Sequence, residues 1–155
     1  MRLFWYMEKV MQRINGTNYL RKIEYVFYNE PLILEEVYHK KNKAAISEVR
    51  NDSQLSDPTA MTAIRNLTPV QSVVIDNVKL LNPEQWLEVI GKTRSYCRRN
   101  GEIYFEVMHG RYSREDFKKT CARLGISSDG YYRTLEKIRN YAALCAAWFH
   151  LIDID

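Results

Sequence analysis

The stretch Ser113 to Arg139, SREDFKKTCARLGISSDGYYRTLEKIR, leaves the chain few local choices. Phe117, Cys121 and Leu124 recur at i, i+4 and i+7, the spacing of one helical face. Ser113 is a candidate N-cap ahead of an acidic first turn, Glu115 and Asp116. Gly125 supplies the left-handed residue that ends such a helix. Ile126 then plugs the angle between two helices, and Ser127 or Ser128 caps the second. The expectation is a helix-turn-helix whose second helix exposes Asp129, Tyr132 and Arg133 at its start and buries Tyr131.

Helical spacing recurs through most of the chain. Leu3, Met7, Val10 and Ile14 form one such set, stopping at Asn15-Gly16. Tyr19, Leu20, Ile23 and Phe27 form a second, running to Asn29, and Pro31 opens a third with Leu34, Val37 and Tyr38. Residues 51 to 58 lack periodic apolar positions and read as a linker. Three prolines that suit a first helical turn follow, each beside a capping side chain: Ser56-Asp57-Pro58, Thr68-Pro69 and Asn82-Pro83-Glu84. They predict helices over Pro58 to Leu67, Pro69 to Leu81 and Pro83 to Arg98. In the middle one Val70, Val73, Val74, Val78 and Leu81 raise a strand alternative, but the flanking prolines favour helix. A further helix over Glu102 to Met108 should pack Ile103, Val107 and either Tyr104 or Phe105 under the helix-turn-helix.

The last helix carries two apolar stripes: Tyr131, Leu135, Ile138, Ala142, Cys145, Phe149 and Ile152, and then Tyr141, Leu144, Trp148 and Leu151. A helix apolar on so much of its girth needs cover from the N-terminal helices or from a second copy. The fold class expected is therefore all-α, in three segments. Residues 1–50 form an N-terminal helical region, 51–81 a linker with connecting helices, and 82–155 a helix-turn-helix unit with an apolar last helix.

Charge is unevenly spread. Lys92 to Arg139 holds 12 Lys or Arg against 6 Asp or Glu, a balance of +6, whereas the remainder holds 11 against 13, a balance of −2. Concentrated positive charge is the electrostatic footprint of a surface that meets phosphate. The run His39-Lys40-Lys41-Asn42-Lys43 is read first as the polar face and end of a helix, with a phosphate contact as the alternative. No apolar run approaches the roughly 20 residues that span a bilayer, and the N-terminal apolar patch is interrupted by Glu8 and Lys9, so a cytoplasmic protein without membrane contact is expected. The sequons at Asn15, Asn51 and Asn66 are then coincidental. Cys97, Cys121 and Cys145 are widely separated within apolar helical patterns and read as reduced core thiols rather than disulfide or zinc ligands.

No sequence signature of catalysis is present: no glycine-rich phosphate loop, no G-x-S-x-G elbow and no His/Glu pair at metal spacing. His39, His109 and His150 are scattered, and the adjacent Glu35 and Glu36 point in different directions on a helix. The expectation is a non-enzyme with neither cofactor nor metal.

The run from Glu102 to Arg139, with its packing helix, acidic-start helix, L-G-I-S step and following helix, resembles the fourth-region helix-turn-helix of bacterial sigma factors. With S-D-P-T-A at Ser56 to Ala60 ahead of that module, the wider arrangement is similar to small phage transcriptional regulators of the RinA and ArpU type. The resemblance implies sequence-specific binding to double-stranded DNA and control of late, packaging or lysis genes. It places Arg111 and Lys118 near phosphates, and Ser127, Ser128, Asp129, Tyr132, Arg133 and Lys137 on the DNA-facing side. Arg114 and Lys119 join the phosphate set because they lie on or before the helix that crosses the backbone in such motifs. In this chain Tyr131 replaces a small β-branched residue, Cys121 an alanine and Gly130 a threonine. RNA polymerase is a second implied partner, and a homodimer through the C-terminal helix would read two half-sites about one helical turn apart. The competing functions are a polymerase-docking or other protein-interaction module and a DNA-packaging component like a small terminase subunit.

Overall fold

A computed structural model describes residues 17–51, 59 and 69–153, with no account of the side chains of 17–18 and 44–51. The helices expected over Leu3 to Ile14 and Pro58 to Leu67, and the linker after Asn51, lie outside the described residues. Within them the chain forms α1 (Thr17–Tyr28), α2 (Glu30–Asn51), β1 (Ser72–Ile75), β2 (Val78–Leu81), α3 (Pro83–Asn100), α4 (Glu102–Tyr112), α5 (Phe117–Leu124) and α6 (Ser128–Trp148). The protein is predominantly helical, and among the described residues the one exception to the all-α expectation is a small hairpin.

That hairpin replaces the helix expected over Pro69 to Leu81. β1 and β2 pair antiparallel, Val73 opposite Leu80 and Ile75 opposite Val78. Val73, Ile75 and Leu80 are buried, while Val74, Val78 and Leu81 are about half exposed. The connection is Asp76-Asn77, with φ of 48° and 64°. Two central residues with positive φ make the turn whose twist matches paired strands, and Asp and Asn tolerate that conformation without glycine. The β-branched residues outweighed the prolines: Pro69 precedes the strands, and Pro83 opens the next helix.

The described residues group into two compact units that are not consecutive along the chain: 29–87, and 17–28 with 88–153. In the first, β1 packs on α2, with Ile33, Val37 and Trp86 buried. Pro31 sits in the first turn of α2, where its missing N–H costs nothing. The basic run is used locally: Lys40 donates to the Ser72 carbonyl and Lys41 pairs with Glu84. Glu84 also accepts from the Val70 amide at 2.9 Å. These bonds fix the hairpin between α2 and the start of α3.

The second unit is built around α6, which packs against α1, α4 and α5. Ile23, Val26 and Phe27 of α1, Val89, Ile90 and Cys97 of α3, and Val107 and Met108 of α4 are buried together with Tyr131, Leu135, Ile138, Ala142, Ala143, Ala146 and Ala147 of α6. Ile103, expected in this core, is 44% exposed. The first apolar stripe of α6 is thus covered within the chain, whereas Trp148 on the second stripe is 66% exposed. α6 also ends earlier than its apolar rhythm implies. His150 takes φ 55°, and the amides of His150 and Leu151 bond the Ala147 and Ala146 carbonyls at 3.0 and 2.9 Å. This Schellman closure folds Leu151 and Ile152 back into buried positions and leaves Phe149 as the C-cap.

Candidate nucleic-acid interface

The segment from α4 to α6 is shaped by its helix ends. Ser113, expected to start α5, instead caps the C-terminus of α4. Arg114 then takes the left-handed conformation at φ 64°, and the amides of Arg114 and Glu115 close onto the carbonyls of Arg111 and Gly110 at 3.2 and 2.9 Å. Asp116 is the N-cap of α5, its carboxylate accepting from the Lys118 amide at 2.9 Å. α5 stops at Gly125, φ 66°, and the Ile126 amide bonds the Cys121 carbonyl at 3.1 Å. Ser127 then caps α6 by accepting from the Gly130 amide at 3.1 Å.

Gly130 has a local reason. A Cβ there would stand 3.3 Å from Ser127 Oγ and crowd the cap bond. Tyr131 is fully buried, while Tyr132 is 47% exposed. Phe117 supports both tyrosines, with ring centroids 6.1 and 5.7 Å away. The start of α6 is therefore anchored by one tyrosine and presents the next.

Two charge clusters hold this frame. Arg123 of α5 bonds Glu106 of α4 at 2.7 Å and Glu115 at 3.1 Å. The hydrogen bond from Arg123 is the main cause holding the Glu115 carboxyl below its ordinary pKa. Glu24 of α1 pairs with Arg139 of α6 and with Arg111 of α4, the latter at 3.6 Å, and accepts from the Tyr112 hydroxyl at 3.2 Å. Burial first, and Glu24 second, push the Tyr112 phenol up, so it stays a neutral donor. The Tyr131 hydroxyl lies beside Arg111 without a hydrogen bond of good geometry. Neither cluster was visible in the sequence. Glu24 and Arg139 are 115 residues apart, and no short-range pattern links them.

The expected site residues separate into two groups. Arg111 is half-buried, paired with Glu24 and set over the Tyr28 ring at 5.7 Å. Its guanidinium is engaged within the fold. Arg114 is exposed at the turn between α4 and α5, with its guanidinium 5.1 Å from the same ring. Lys118, Lys119, Ser127, Ser128, Asp129, Tyr132, Arg133 and Lys137 are all exposed. Among the described residues none forms an ion pair with Lys118, Lys119, Arg133 or Lys137. Arg133 and Lys137 are one turn apart on the same face of α6.

Other chemistry is sparse. Cys97, Cys121 and Cys145 are free thiols, and burial pushes the Cys97 thiol up to about 11. Among the described residues no His, Cys, Asp or Glu cluster is arranged to hold a metal ion, and no helix is long and apolar enough to cross a membrane. Family models, curated proteins and solved structures give no match to this chain.

Proposed function

We propose that the protein is a sequence-specific, double-stranded DNA-binding transcriptional regulator of the kind that controls phage late genes, acting without a cofactor. One observation carries the reading. Four exposed cations without ion-pair partners among the described residues, Lys118, Lys119, Arg133 and Lys137, lie on two capped helices joined by the short turn Gly125-Ile126-Ser127.

Exposed, unpaired cations are available to release counterions from DNA, the main source of affinity for a duplex. Lys118 and Lys119 would meet phosphates, joined by Arg114 at the preceding turn. The start of α6 would supply selectivity: Arg133 can fork onto the O6 and N7 of guanine, and Asp129 can accept from a cytosine amino group. Ser127, Ser128 and Tyr132 offer hydroxyls to phosphates or base edges. Arg111 acts one step back, by fixing the end of α4 through Glu24.

The test is anisotropy of labelled duplexes, one random and one from the protein's own upstream region, across a salt series. Tighter binding to the upstream duplex, weakening steeply with salt, is the expected result. Absence of binding to both at low salt would remove the reading. A second reading rests on Trp148: an aromatic side chain 66% exposed at the end of α6 suits a protein partner, either RNA polymerase or a second copy. Polymerase capture without DNA binding would favour it.

A further inference from the structure

α3 and α6 border a groove of about 410 Å³, lined by Glu88, Gly91, Lys92, Ser95 and Arg99 of α3 and by Tyr141 of α6. The α3 residues follow i, i+3, i+4, i+7 and i+11, a single helical face. Nothing lies within 4 Å of where a Cβ at Gly91 would stand, so the groove floor is open there. Tyr141 stacks on Tyr96 of α3, centroids 4.1 Å apart and planes 9° from parallel, which fixes the groove wall.

The Arg99 guanidinium lies near the Tyr141 hydroxyl, a neutral group that does not offset its charge. Among the described residues Lys92 pairs with Glu88 at 3.9 Å, both side chains being half exposed. Such a pair is weak and easily exchanged. Arg133, Lys137 and Tyr141 follow each other at i, i+4 and i+8 along α6, so two exposed cations share a helix row with the groove's tyrosine.

Lys92 and Arg99 are separated by about 10 Å along α3, from a rise of 1.5 Å per residue. Cations this far apart reach different phosphates of one strand. We infer that the α3–α6 groove is a second phosphate-contact surface, in which Lys92, Ser95 and Arg99 grip the backbone of the DNA flanking the segment read by α6. The inference rests on the proposed DNA-binding reading and adds residues to it. Ser95 donates its hydroxyl to a phosphate oxygen, Arg99 offers its guanidinium fork, and Lys92 exchanges Glu88 for phosphate. The groove contributes affinity and length of footprint but no base selectivity.

The experiment measures salt dependence of anisotropy for the full chain on a duplex of about two helical turns, comparing wild type, the double variant Lys92→Ala/Arg99→Ala and Glu88→Gln. Lys92, Arg99 and Glu88 are exposed, and thermal melts verify that each variant is folded. Two lost phosphate contacts should flatten the slope of log K against log salt by about 2, and weaken binding at least roughly tenfold near 0.1 M salt. Selectivity between native and random duplex should not change. Glu88→Gln, which removes the groove's carboxylate, should tighten binding. A double variant with the wild-type slope, while wild type binds normally, would overturn the groove assignment and leave the DNA-binding reading standing. No binding by wild type would overturn both.

Discussion

Two glycine-to-alanine changes test the packing that sets α5 on α4. Gly91 and Gly110 both lie in helices, where alanine gains up to about 1 kcal/mol over glycine. At Gly91 a Cβ meets nothing within 4 Å, so Gly91→Ala should stabilise the protein by about 0.5–1 kcal/mol. At Gly110 the same Cβ would lie 2.8 Å from Thr120 Oγ1, 3.0 Å from Glu115 Oε2 and 3.4 Å from Thr120 Cγ2. Glu115 is held by Arg123, and Thr120 is fully buried and β-branched, so neither yields freely. Overpacking of that kind costs about 1–3 kcal/mol, which leaves Gly110→Ala neutral to about 2 kcal/mol destabilising. The difference between the two variants isolates the contact, because the helix-propensity gain is common to both. Urea denaturation should place them about 1–3 kcal/mol apart with unchanged m-values. In a Thr120→Ala background the Gly110→Ala penalty should largely vanish. Equal stabilities for the two glycine variants would refute the close approach of α4 and α5.

Glu24→Ala should cost about 2–4 kcal/mol, because it strands Arg111 and Arg139 without an anion; their side chains keep 29% and 22% exposure, which holds the loss below that of a fully buried pair. A shift in urea midpoint worth under about 1 kcal/mol would show that Glu24 does not tie α1 to α4 and α6. Cys97 should react slowly with iodoacetamide in the native protein at a pH near its ordinary value of 9.0, since burial holds its pKa at about 11. The folded state keeps that proton longer than the unfolded one, so this contribution to stability is complete below about 9 and lost as pH rises through about 11. Native labelling as fast as in denaturant would contradict the buried thiol. Arg133→Ala should cut discrimination between native and random duplex by about 1–3 kcal/mol, whereas Lys118→Ala should weaken both about equally; unchanged discrimination would exclude Arg133 as a base reader.

What could be read from the sequence was mostly local. Gly125 and Ser127 act within a few residues of themselves, so a left-handed stop and a helix cap could be inferred from them. Ser113 and Asp116 are both good caps three residues apart, and the choice fell to Asp116 because Arg114, not a glycine, supplies the left-handed residue that ends α4. The same substitution of an ordinary residue for glycine concealed the end of α6 at His150 and the hairpin turn at Asp76-Asn77. Among the candidate site residues, exposure of Lys118, Lys119, Tyr132, Arg133 and Lys137 followed from helical spacing. The engagement of Arg111 did not, because its partner Glu24 comes from a helix 87 positions earlier in the chain. The groove of α3 and α6 was equally hidden, since its two walls are joined by the stack of Tyr96 on Tyr141 rather than by sequence proximity.

The most direct test is a titration of the isotope-labelled protein with its upstream duplex, followed by backbone amide chemical shifts. The proposed interface predicts the largest changes at Lys118, Lys119, Ser127 to Arg133 and Lys137, saturating together and weakening with added salt. Shifts confined to residues 29–87, or none at DNA concentrations that saturate a control DNA-binding domain, would contradict it.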